Sequence, residues 1–183
     1  MNYDLSLKTV GLLVGLLVLI SHAIAMARPA EVQRFLTGLP RSQRIGEIVL
    51  VIDLIWAFAL AWRMDWGEFY YLQNYILILL PVFAYLTWQF VDEFLAVRAL
   101  GILLLLAAAP LLDAAFLKPQ MSRLLLVVLA YVWVVFGMLW VGQPYLLRDQ
   151  IGWVNRSASR WKLAVGGGLI YGALLLLCAL IAY

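Results

Sequence analysis

Residues 46–62 read GEIVLVIDLIWAFALAW, an apolar run broken once, at Asp53. At 1.5 Å of rise per residue a helix of this length covers about 25 Å, most of the hydrocarbon thickness of a bilayer. An aspartate at the centre of such a helix costs about 2.5–3.5 kcal/mol on insertion. The nine Leu, Ile, Val and Phe residues of the run each return roughly 0.3–0.6 kcal/mol. The run is therefore expected to insert, with Asp53 facing protein or water rather than lipid.

Five more runs share this character. Together they place spans at about 9–27, 46–62, 74–91, 97–116, 122–142 and 163–183. Backbone groups cannot go unpaired in hydrocarbon, so runs of this length are read as helices, and the alternating pattern of a barrel strand is absent. The first run also resembles a signal peptide, with Lys8, a short apolar core and A-x-A at Ala23–Ala25; we expect it to be retained as a helix. Composition agrees. Of 183 residues, 66% are hydrophobic and 13% charged, against about 25% charged in soluble domains. The expected fold is all-α: a polytopic integral membrane protein, one compact bundle of six transmembrane helices in a single domain.

With six spans, loops one, three and five share a side. They carry Arg28, Arg34, Arg41, Arg44, Arg98, Arg148, Arg156, Arg160 and Lys162, against Lys8, Arg63, Lys118 and Arg123 opposite. Basic loops stay inside. Both termini are thus expected outside, in a membrane such as a bacterial inner (plasma) membrane. Loop one carries Pro29 at a first helical position, then Val32, Phe35, Leu36 and Leu39 at i, i+3, i+4 and i+7. This predicts a short amphipathic helix, either lying in the interface or packed on the bundle. Arg28, Arg34, Arg41 and Arg44 flank it and suit anionic lipid. Trp62, Trp66, Tyr70 and Tyr71, and Trp140, Tyr145, Trp153 and Trp161, read as aromatic belts. Asn155–Arg156–Ser157 matches a glycosylation acceptor but falls on the inner side. A net charge of +3 distributed beside apolar runs describes topology, not nucleic-acid binding.

Polar residues inside spans are the candidates for function. His22, near the inner end of span one, and Asp53 are expected at similar depth, with Thr87 and Gln89 completing an inner polar patch. That patch is either a proton relay or solute site, or a hydrogen-bonded Asp–His or Asp–Trp pair locking helices together. Asp92, Glu93 and Arg98 suggest a solvated, locally paired hairpin. Asp113 is expected to pair with Lys118 or Arg123 at the boundary of span four. Pro81 and Pro110 are expected to kink their helices. Gly11-x-x-x-Gly15 and Gly168-x-x-x-Gly172 predict close helix contacts, within the chain or between copies. A weak half-chain repeat is visible in FLTGLPRSQR (35–44) and FLKPQMSR (116–123), each before a run with paired tryptophans, Trp56/Trp62 and Trp133/Trp140. With three spans per half, the second copy would be inverted.

Catalytic signals are sparse. One cysteine, Cys178, and one histidine exclude an intrachain disulfide framework, a bis-His haem and a clustered metal site. There is no phosphate loop, no H-E-x-x-H and no G-x-S-x-G. No cofactor and no metal are expected. Subtraction favours a non-enzymatic subunit or assembly and anchoring component of a membrane complex, with protein partners or self-association. The alternative is a small proton-coupled transporter or channel using the intramembrane Asp/His site. A lipid-modifying enzyme is a distant third.

Overall fold

The computed structural model describes residues 3, 5–90 and 94–183; Asp92 and Glu93 lie outside them. Among the described residues every regular element is helical: α1 (Leu7–Ala27), α2 (Pro29–Gly38), α3 (Gln43–Arg63), α4 (Tyr70–Phe90), α5 (Leu95–Ala115), α6 (Arg123–Gly142), α7 (Tyr145–Asn155) and α8 (Ala158–Ile181). Two 3-10 turns, Leu39–Arg41 and Gly67–Phe69, precede α3 and α4. Six of the helices, α1, α3, α4, α5, α6 and α8, are long and apolar enough to cross a membrane. Start signals are local. Ser6 Oγ accepts from the Thr9 amide at 3.0 Å and Ser42 Oγ from the Ile45 amide at 3.4 Å, satisfying donors that have no partner within the helix. Pro81 and Pro110 both sit inside continuous helices.

The centre is α5, the most buried of the six long helices. Its small residues let neighbours approach. A Cβ on Gly101 would stand 2.8 Å from the Gly137 carbonyl oxygen, and one on Gly137 2.8 Å from that of Gly101. This reciprocal contact joins α5 to α6 and lies outside the glycine pairs singled out by sequence. Those pairs meet each other: Gly15 lies against Leu175 and Leu176 of α8, and Gly172 against the Leu19 backbone of α1. The α1–α8 and α5–α6 pairs join in one core around Leu7, Ala108, Leu111, Leu126 and Leu175. Helix α3 packs on α5 through Val49, Leu50, Leu95 and Ala99.

One end of the bundle carries a cross-layer. Val32 and Leu36 of α2 pack on Ala25, Trp161 and Val165, so the loop-one helix is seated on the bundle, leaving Phe35 exposed. Trp161 belongs to this core and not to a surface belt. The second short helix, α7, was not anticipated. Its Leu147 packs with Leu39 and Val97, and Asn155 donates to Thr37 Oγ1 at 3.3 Å. Connections one and five thus meet at one end, against Phe94 and Val97 at the start of α5. The half-chain repeat does not extend to packing: α5 and α6 form an intimate pair, whereas their counterparts α1 and α3 scarcely meet.

Candidate functional site

Helix α4 is the least buried of the six and packs chiefly on α3. It is tied there at both ends. At the cross-layer end Trp88 Nε1 donates to Glu47 Oε1 at 3.2 Å. At the other end Gln73 Nε2 donates to the Trp62 carbonyl at 3.2 Å, and Trp66, in the loop before α4, donates its Nε1 to the Ala61 carbonyl at 3.0 Å. Between these ties the helices stand apart.

Three cavities fill the gap. The first, about 290 Å³, is bounded by Glu47, Leu50, Leu54, Pro81, Tyr85 and Trp88. The second, about 160 Å³, is bounded by Leu50, Asp53, Leu54, Phe83, Thr87 and Ile102. The third, about 390 Å³, reaches Tyr3, Ala57, Met64, Trp66, Leu80 and Asp113. Leu50 and Leu54 are shared by the first two, Ala57 and Leu80 by the last two. The result is one groove along α3, open at the bundle surface. From Glu47 to Met64 it runs about 25 Å at helical rise.

Asp53 is the eleventh residue of the 21 in α3, and it lines the middle of this groove. It is 2% exposed, and neither carboxyl oxygen has a hydrogen-bond partner among the described residues. An orphaned buried polar group costs about 1–3 kcal/mol, more when charged. A helix-locking Asp–His or Asp–Trp pair is therefore not what holds α3 in place.

Of the four residues expected to share a polar patch, the structure brings together two, Asp53 and Thr87. His22 belongs to another interface. Its Nδ1 donates to the Val18 carbonyl at 2.8 Å, and its ring lies on Gly168 of α8. Equal depth on consecutive spans did not produce contact, because α1 pairs with α8 and α5 takes the place beside α3. Gln89 is exposed, one helical step past the groove-lining Trp88. Asp113 makes no ion pair with Lys118 or Arg123. Its Oδ2 accepts from the Tyr3 amide at 2.7 Å, while Arg123 donates to the Ala115 carbonyl at 3.0 Å, capping the end of α5. Arg28 pairs with Glu31 at 3.4 Å, and Arg34, Arg41 and Arg44 are exposed at the cross-layer end.

Sequence reasoning found Asp53 and Thr87 but missed Glu47, Tyr85, Trp88 and Trp66 as their companions. A signal existed: Glu47 and Leu54 fall on one α3 face at i, i+7, with Leu50 between them, and Asp53 lies beside it. Among the described residues no group of three or more His, Cys, Asp or Glu side chains gathers as a metal site. No family model, no characterised protein and no solved structure matches this chain, so the groove is interpreted from its own geometry.

Proposed function

We propose that this protein is a small multi-pass membrane carrier in which Asp53 exchanges a proton for a solute held in the α3–α4 groove. The observation that supports this is the buried, partnerless carboxyl of Asp53, a residue that borders the cavity between α3 and α4. Polar residues inside a membrane are expensive and mark transport paths or relays. A lone carboxyl at mid-depth is satisfied by holding either a proton or a cation, and exchange between the two is the elementary step of proton-coupled transport. On this reading the six apolar helices span the membrane, both termini lie outside, and the arginine-rich cross-layer faces anionic lipid within.

The test is reaction with dicyclohexylcarbodiimide, which enters lipid and modifies protonated carboxyl groups. Membranes holding the full chain are expected to give an adduct at Asp53 by peptide mass analysis, with a yield that falls as pH rises. Absence of that adduct over the whole pH range would overturn the reading.

A second reading is favoured by one observation. Helix α4 leaves Tyr71, Tyr75, Tyr85 and Gln89 exposed along one side, at spacings of 4, 10 and 4 residues. Such a stripe suits a partner helix, and the chain would then be a non-enzymatic subunit of a membrane complex. A stoichiometric partner that survives purification in mild detergent separates this from the carrier.

A further inference from the structure

We infer that the groove selects a lipophilic organic cation, a hydrophobic amine or onium ion, and admits it from the membrane side. This rests on the carrier reading above and names its substrate class.

Charge comes first. Glu47, Asp53 and Asp113 line the three cavities in turn, and among the described residues that line them there is no Lys, Arg or His. Every ionisable carboxyl in the groove therefore repels an anion and attracts a cation. The Asp53 carboxyl is the one with no partner of its own.

Lining chemistry then decides which cation. Around Asp53 the walls are Leu50, Leu54, Leu80, Phe83 and Ile102, and Thr87 adds a single hydroxyl. Small inorganic cations such as Mg²⁺ or Ca²⁺ need six or more oxygen ligands, which this wall does not offer. A ligand that brings its own apolar surface loses nothing by leaving water. A neutral acyl tail would fill the space but leave Asp53 unpaired. The aromatic rings complete the match. Tyr85 and Trp88 stand 5.9 Å apart by ring centroid and line the cavity next to that of Asp53. Their π faces stabilise a desolvated cation.

Exchange balances simply. The protonated Asp53 carboxyl releases one proton for each monovalent cation bound, and the carboxylate then pairs with the cation. No bond other than O–H breaks.

The probe is tetraphenylphosphonium, with tetraphenylborate as an anion of the same shape. Wild-type protein in detergent is expected to bind the cation saturably at one per chain and to release one proton as it does so. The cation is expected to protect Asp53 from carbodiimide, and the borate is not. Asp53→Asn is expected to weaken cation binding by at least about tenfold, the effect of losing about 1.4 kcal/mol of pairing. Protection is measured on the unaltered chain, so it does not depend on a variant folding. If the carbodiimide labels Asp53 but the cation neither protects it nor binds, the cation assignment is overturned and the carrier reading stands. If Asp53 is never labelled, both fall. Equal protection by borate, or a partner chain that must be removed before labelling occurs, also overturns the assignment.

Discussion

At the scale of the residue, Asp53 separates a structural from a functional carboxyl. A side chain that locked α3 to a neighbour would lose that contact on substitution, about 0.6 kcal/mol on average for interhelical hydrogen bonds in membranes. Neither oxygen of Asp53 has such a contact among the described residues. Replacing it by leucine also removes the insertion cost of about 2.5–3.5 kcal/mol. We therefore expect Asp53→Leu to unfold in detergent at the wild-type temperature or above it, while abolishing cation binding. A midpoint several degrees lower would show that the carboxyl carries an intramolecular contact. The presence and depth of this residue were legible in the sequence because one charge in a long apolar run has few explanations. Its surroundings were not. A periodicity argument gives the face on which a side chain lies, but not which helix that face meets.

The same distinction holds for whole elements. Each of the six long apolar helices stood out by length and hydropathy, and their ends fall within a few residues of the apolar runs. The pairing of helices did not. His22 and Asp53 were expected to be neighbours through chain adjacency, yet α1 turned to α8 because the glycines of both helices permit close approach. The seat of His22 gives a direct check. A Cβ on Gly168 would collide with the His22 ring, and the three nearest atoms all belong to that ring. Overpacking of this kind costs about 1–3 kcal/mol. Gly168→Ala should therefore lower the unfolding midpoint of the full chain in detergent. In a His22→Ala background the same change should be nearly neutral, giving a coupling of about 0.5–3 kcal/mol in a double-mutant cycle. Additive effects would mean that the ring and the glycine do not share space. The short helix α7 escaped notice for a related reason. Its apolar residues Leu147, Ile151 and Val154 do repeat at i, i+4 and i+7, but the residues they pack on, Leu39, Val97 and Trp161 among them, come from other parts of the chain.

For the whole molecule, the cross-layer bears on which way the protein faces. Leu39 of connection one, Phe94 at the start of α5, and Leu147 and Asn155 of connection five gather at one end, as alternating spans require. That end collects nine of the thirteen Lys and Arg residues, and short basic loops are retained on the cytoplasmic side. The orientation can be read without disturbing any charge. Cys178 is the sole cysteine, so Cys178→Ala gives a blank background. Gly38 and Gly152 mark the basic end, and a Cβ on either meets nothing within 4 Å. Phe69 and Met121 mark the other end, at 60% and 78% exposure. Cysteines placed singly at these four positions should divide in pairs. Phe69→Cys and Met121→Cys should react with a membrane-impermeant maleimide added to intact cells. Gly38→Cys and Gly152→Cys should react only after the membrane is opened. The reverse division would place the basic end outside, and with it the ring pair Tyr85–Trp88 and Glu47. A proton gradient directed inward would then meet the groove from the end that holds Glu47, and not from the end that holds Asp113. A split within either pair would break the six-span topology itself, since Gly38 and Gly152 sit in helices joined through Asn155 and Thr37.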